Sequence, residues 1–413
     1  MSKRAGSFWQ RFLIFLSVMG PGIITANVDN DAGGITTYSV CGAHFGYSMV
    51  WSFIPILVAL VIIQEMCNRM GVVTGKGLAD LIREEFGVKV TFYSMAVLIL
   101  ANLGNAMAEF AGIAAASELF GMSKYVSVPL CALGVWWLVV KGTYKSVEKI
   151  FLGACIFYIS YILSGFLVKP DWASVFRESV RPVFSFDKGF LFMLIGVVGT
   201  TIAPWMQFYQ QAAVVEKAIK IKDYKYSKMD VVIGGFVVNI IAFFIVVVCA
   251  ATLFKQGIRI ETAKDAALAL KPLAGNYCYL LFAFGLFNAS LFAASILPLS
   301  TAYSVCEGMG WGAGINKRFK EAPHFYLLYA GIIIISAAVI LLPKIPLIPL
   351  MLVSQVANGV LLPFILIFMI MLINNKRLMG EYTNTRFYNL ICWLTIIIMI
   401  SLSIFMFVST FVK

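Results

Sequence analysis

Eleven apolar runs dominate the chain, and each is long enough to cross a membrane as a helix. They cover roughly 12–40, 47–70, 90–119, 125–141, 148–168, 188–216, 230–254, 276–309, 324–343, 347–373 and 386–411. A helix rises about 1.5 Å per residue, so about 20 residues span a hydrocarbon core of about 30 Å. In lipid every backbone polar group must be satisfied within the protein, which leaves only helices and closed barrels. The period-2 alternation of a barrel strand is absent. The expected fold is an all-α polytopic membrane protein. Composition agrees: only 13% of residues are charged, against about 25% in water-soluble domains. The longest interruptions, 169–187 and 255–275, are too short for a soluble domain, so residues 1–413 form one membrane domain.

The net charge of +12 suggests nucleic-acid binding until its placement is examined. With the N-terminus in the cytoplasm, 21 of the 32 Lys and Arg fall on the cytoplasmic side. That asymmetry is the positive-inside rule, so the basic excess is a topology signal with some attraction to anionic lipid, and no nucleic-acid partner is expected. Eleven spans place Lys413 outside. The start, with Lys3 and Arg4 before "FLIFLSVMG", resembles a signal peptide but lacks a small-x-small cleavage site. The eight cysteines are scattered singly, mostly within apolar runs, and form no C-x-x-C pair. They read as small hydrophobes, neither a disulfide framework nor a metal site. His44 and His324, the two histidines, lie at span ends and leave little for imidazole catalysis.

Two spans carry breaks. The first is interrupted by "ANVDNDAGG", residues 26–34, and the sixth by "GTTIAPW", residues 199–205. Spans five apart cross in opposite directions. Two interrupted spans at corresponding positions of two five-span halves point to an inverted-repeat transporter. The expected organisation is repeat one over about 12–168, repeat two over about 188–373, and an extra helix over about 386–411. A broken backbone at membrane depth frees carbonyls, and the half-helix ending there presents its negative end. A carboxylate added at that point suits a cation, and an intramembrane acid usually marks an ion pathway. Asp29 and Asp31 compete for that role. Asp31 directly precedes Ala32-Gly33-Gly34, where the chain must unwind, and is favoured on spacing; Asp29 is left to pair elsewhere or to face a vestibule.

The stretch "GPGIITANVDNDAGGITTYSVCGAHFGYSMVW" resembles the Nramp family of divalent-metal transporters, whose first span carries a GPG start, a D-P-G-N break and a G-x-x-FGY end. "VVTGKGLADLIREEFG" resembles the family's TGR-DLAE loop, "MAEFAGIAAASELFG" its third span, "GTTIAPWMQF" its M-P-H region and "SQVANGVLLPF" its tenth span. The resemblance covers essentially the whole chain and implies a LeuT-like inverted five-plus-five repeat with helices 1 and 6 broken. It places the D of D-P-G-N on Asp31. It also implies that the carbonyls of Val28, Thr200 and Ala203 face the ion and that Gln355 approaches from span ten.

The departures from the family pattern matter as much. Its liganding Asn is Gly34 here, its Met is Ala203, its His is Trp205, and an acid of its third span is Ala106, while Glu109 remains. This combination resembles the Nramp-related magnesium transporters. A Met thioether favours soft metals, whereas Mg²⁺ keeps several waters and takes one or two carboxylates. The metal-site residues expected are therefore Asp31, Val28, Gly34, Thr200, Ala203 and Gln355, with Asp31 the only full charge. Glu109 is read as a buried hydrogen-bonded group, with a proton or gating role as its alternative. Glu65 and Arg69 read as an i,i+4 ion pair. Gln207, Gln210 and Gln211 line a polar vestibule or form a lipid-shielded polar face.

The function implied is uptake of Mg²⁺, and of Mn²⁺, across the cell (inner) membrane. No proton coupling, cofactor or obligatory protein partner is expected. A proton-coupled Mn²⁺/Fe²⁺ or amino-acid transporter of the same fold is the competing reading. An intramembrane enzyme is disfavoured, because neither histidine lies inside a span.

Overall fold

The computed structural model describes residues 21–141, 159–315 and 317–411. The first span is two half-helices, α1 (Pro21–Val28) and α2 (Ala32–Phe45). Then follow α3 (Phe53–Thr74), α4 (Leu78–Leu119), α5 (Lys124–Lys141), α6 (Ile159–Leu167) and α7 (Trp172–Val180). The sixth span is α8 (Lys188–Thr201) and α9 (Pro204–Glu216). The rest comprises α10 (Tyr224–Thr252), α11 (Cys278–Met309), α12 (Pro323–Leu341), α13 (Leu347–Ile373) and α14 (Arg386–Phe411). Among the described residues nine helical segments are long and apolar enough to cross a membrane. The halves of the first span, 8 and 14 residues, are each too short alone. Together they rise about 33 Å, enough for one crossing.

The expected spans from the seventh onward agree with these helices to within a few residues at most ends. Most of span 148–168, and the residues of the first span before Pro21, lie outside the described residues, as does Cys155. The largest difference is at the start of the third span. The loop expected before residue 90 is already helical from Leu78, and Gly87, at φ 82° and ψ 167°, kinks the 42-residue helix. The segment before the kink carries Asp80, Arg83, Glu84 and Glu85, so its polarity hid it from an apolar-run reading.

Spans one, two, six and seven exchange partners. Helix α10 packs on both α1 and α2, bridging their break, while α3 packs on α9. Helices α4 and α11 form the most extensive pair and carry α12, with α5 against α4 and α12. Helix α13 packs on α8, α4 and α2, and α14 packs on α13, α8 and α3. The seam between α8 and α13 depends on two glycines. A Cβ at Gly199 would overlap the Gln355 carbonyl and the Gly359 amide, and one at Gly359 would overlap the Ile195 carbonyl. Large apolar side chains face outward, among them Leu100, Trp137, Phe364 and Ile397. That is the surface lipid requires.

Candidate cation site at the two helix breaks

In the first break the chain leaves helical geometry after Val28 and re-enters at Ala32. Asp31 is the N-cap of α2: at φ −71° and ψ −172° its backbone is extended and its Oδ1 accepts from the Gly34 amide at 2.6 Å. The positive end of α2 is thereby held by a carboxylate, as amide orientation there favours. The negative end of α1 faces the same gap. At its other end, the Gly22 amide of α1 donates to Asp230 Oδ2 on α10 at 2.6 Å. Sequence reasoning missed this acid; its position at the edge of an apolar run was the available signal.

Glu109 reaches the break from α4. Its Oε2 accepts from the Ala32 amide, next to Asp31, at 3.1 Å. Asp29 is 2% exposed, and both its carboxylate oxygens are buried without a hydrogen-bond partner among the described residues. Three buried acids, Asp29, Asp31 and Glu109, thus surround the break. The reason is three-dimensional, since α4 crosses the break at Glu109 and the tight turn keeps Asp29 inside.

The second break consists of Ile202 (φ −129°, ψ 62°) and Ala203 (φ −71°, ψ 140°). Pro204 follows at the first helical position, where its missing N–H costs no helical bond. The Ala203 carbonyl accepts from the Met206 amide and from Gln207 Nε2, both at 3.1 Å, so in this conformation it is already engaged. Thr201 Oγ1 and the Tyr38 hydroxyl, 2.7 Å apart, join the two broken spans. Thr200 Oγ1 is buried without a partner among the described residues. It faces the Cα of Gly34, where an added Cβ would lie 3.3 Å from it and would overlap the Asp29 carbonyl oxygen. Only glycine permits this approach.

Gln355 comes from α13 and rests its side chain on Gly33. Its Oε1 accepts from Asn358 Nδ2 at 2.9 Å, and Asn358 exchanges two hydrogen bonds with Asn105 of α4, at 2.9 and 3.0 Å. The structure therefore brings Val28, Asp31, Gly34, Thr200 and Gln355 to the first break, with Ala203 at the second. Asp31, Thr200 and Gln355 are at most 3% exposed, so the site is occluded. Among the described residues no three His, Cys, Asp or Glu side chains converge as a metal-ligand set. A cation here would draw its remaining ligands from carbonyl, hydroxyl and amide oxygens or from water.

Gln207, Gln210 and Gln211 are buried and turned inward. Gln207 also accepts from Gln64 Nε2 at 3.2 Å, and Gln211 donates to the Lys76 carbonyl at 2.8 Å. Both amide atoms of Gln210 lack a partner among the described residues. Neither histidine enters the breaks: His44 Nε2 accepts from the Ile260 amide, and His324 stacks on Trp311.

The expected pair of Glu65 and Arg69 forms at 3.2 Å and is buried. Glu65 also accepts from the Tyr224 hydroxyl, and Arg69 donates to the Thr383 carbonyl and to Asn384. The pair thus ties α3 to α10 and to the segment before α14. Removing one member of a buried pair strands the other charge at a cost of about 3–5 kcal/mol. Arg69→Ala should lower the thermal midpoint in detergent sharply, and adding Glu65→Gln should recover much of the loss. An Arg69→Ala midpoint equal to wild type would show that the network carries no stability.

The sequence profile of the natural resistance-associated macrophage protein-like family, Nramp, matches residues 22–409. The divalent metal cation transporter MntH of Bacillus subtilis (strain 168) is 27% identical over 407 residues, covering 96% of this chain and 93% of that protein. The solved structure of the Eremococcus coleocola manganese transporter, in complex with an aromatic bis-isothiourea substituted compound, superimposes with a TM-score of 0.78 at 20% identity. The match covers 96% of this chain and 86% of that one. MhsT in complex with L-phenylalanine matches at a TM-score of 0.56 and 14% identity, over 94% of this chain and 98% of that one. These likenesses establish a LeuT-like fold, with its inverted five-plus-five repeat and broken helices 1 and 6. By its match over nearly the whole length, the chain belongs to the Nramp family, whose members are membrane transporters and not enzymes.

Proposed function

We propose that this protein carries divalent cations across a membrane, that its main substrate is Mg²⁺ with Mn²⁺ as a second, and that transport is not coupled to protons. The observation that carries the reading is the donor set at the breaks. Carboxylates, a hydroxyl, an amide and helix-end carbonyls gather where Ala203 and Trp205 offer neither thioether nor imidazole. Hard oxygen donors with room for water suit Mg²⁺, and a site without soft donors does not favour transition metals. That the Bacillus relative is named a divalent metal cation transporter and the Eremococcus protein a manganese transporter supports the broader class. Asp31 is the charged ligand in this reading. Val28, Gly34, Thr200, Ala203 and Gln355 complete the surroundings. The Lys and Arg asymmetry supports a cytoplasmic N-terminus and an external C-terminus in the cell membrane. The two broken spans support repeats over about 12–168 and 188–373.

A divalent cation gains about 4.6 kcal/mol per 100 mV of inside-negative potential, twice the single-charge value, so uptake needs no second ion. Mg²⁺ entry into proteoliposomes should rise with an imposed potassium-diffusion potential while a luminal pH dye stays constant. One observation favours proton-coupled Mn²⁺/Fe²⁺ transport instead: Glu109 stands beside Asp31 with its Oε1 unpartnered among the described residues. Luminal acidification that tracks metal entry and disappears in Glu109→Gln would decide for that reading. Wild-type protein that carries Fe²⁺ and excludes Mg²⁺ would end the magnesium assignment.

A further inference from the structure

Asp31 is heavily committed in this structure. Its Oδ1 caps α2 through the Gly34 amide, and Glu109 holds the adjoining Ala32 amide. Asp29 is not committed. Both of its oxygens are shielded from water and have no partner among the described residues, the arrangement that costs a buried carboxylate most. Its surroundings differ from those of Asp31. The Asp29 carbonyl and Thr200 Oγ1 of α8 face the same space at the Gly34 Cα. On the other side, Glu109 of α4 accepts from the Ala32 amide next to Asp31. On the α8 side a second group waits unpaired among the described residues: Thr200 Oγ1, on a residue 2% exposed, aimed at the space that Gly34 leaves empty beside the Asp29 carbonyl.

We infer that Asp29 is a direct carboxylate ligand of the transported divalent cation, and that Thr200 Oγ1 joins it from α8. The inference rests on the cation-transport reading above and extends it. The cation then takes a second carboxylate from the uncommitted aspartate, beside that of Asp31. Two carboxylates with hydroxyl, carbonyl and water oxygens remain within what Mg²⁺ accepts.

The test is Mg²⁺ and Mn²⁺ binding to the purified full chain, by titration calorimetry, with thermal midpoints measured in the absence of metal. Asp29→Asn is nearly isosteric, and its amide needs no counter-charge. It should weaken Mg²⁺ binding at least ten-fold, while the metal-free midpoint stays equal or rises. A purely structural aspartate would give the reverse pattern. Thr200→Val should weaken binding about three-fold or more. Asp29→Glu keeps the charge but moves it by one methylene, and should change the Mg²⁺ to Ca²⁺ affinity ratio at least three-fold, a readout available if Asp29→Asn cannot be purified. Wild-type Mg²⁺ affinity in Asp29→Asn, or an unchanged ion ratio in Asp29→Glu, overturns the inference and leaves the transport reading standing. A wild-type protein that binds neither Mg²⁺ nor Mn²⁺ overturns both.

Discussion

Asp31→Asn is expected to reduce Mg²⁺ flux in proteoliposomes by about 100-fold or more, a loss of roughly 3 kcal/mol from the transport barrier. The substitution is chosen to separate charge from structure. Asn caps helices about as well as Asp, so the bond to the Gly34 amide persists and the protein should express and unfold much as wild type does. Ala would also remove the cap, at about 1 kcal/mol, and would confuse the two effects. What Asn removes is the negative charge at the meeting point of α1, α2 and Glu109. Flux within three-fold of wild type, in protein whose thermal midpoint is unchanged, would move the cation's charge compensation to another acid of the break.

Gly34→Ala should come next in size, with a sign opposite to the usual helix rule. Ala within a helix is ordinarily better than Gly by about 1 kcal/mol. At Gly34 the new Cβ would run into the Asp29 carbonyl and press on Thr200 Oγ1, so the two breaks must spread. A lower thermal midpoint and at least a ten-fold loss of Mg²⁺ flux are expected. A midpoint above wild type would show that the breaks yield freely. Gly34→Asn carries the same Cβ and should lose Mg²⁺ flux for the same reason. Combined with Ala203→Met, which adds a soft donor, it should raise competition by Cd²⁺.

Much of this was legible in the sequence because membrane helices announce themselves by length, and breaks by Gly, Pro and Asp placed where no soluble loop could be. Residues 347–373 and 386–411 match their helices end to end. The second break was placed within residues 199–205 and consists of Ile202 and Ala203. The cation site was legible along the chain but not across it. Asp230 caps a helix 208 residues away, and no spacing rule reaches that far. Glu109 was read as a buried hydrogen-bonded group, which it is; that its partner is the break itself depends on where α4 crosses. The glutamines of α9 stayed ambiguous because a uniform sequence of polar and apolar residues does not reveal which neighbour a helical face will meet.

The glycine seam between α8 and α13 has a mechanical consequence. Backbones that touch at Gly199 and Gly359 leave no slack for one helix to slide past the other, so the two behave as a single beam. Gln355 rides on that beam, its carbonyl against Gly199 and its side chain against Gly33. Helix α9, beyond the break, is mounted elsewhere, on α3 and α11. Any swing that exposes one side of the site must either carry the whole beam, amide ligand included, or be absorbed by the torsions of Ile202 and Ala203. The sixth span is therefore two levers hung on different frames, with a two-residue pivot between them.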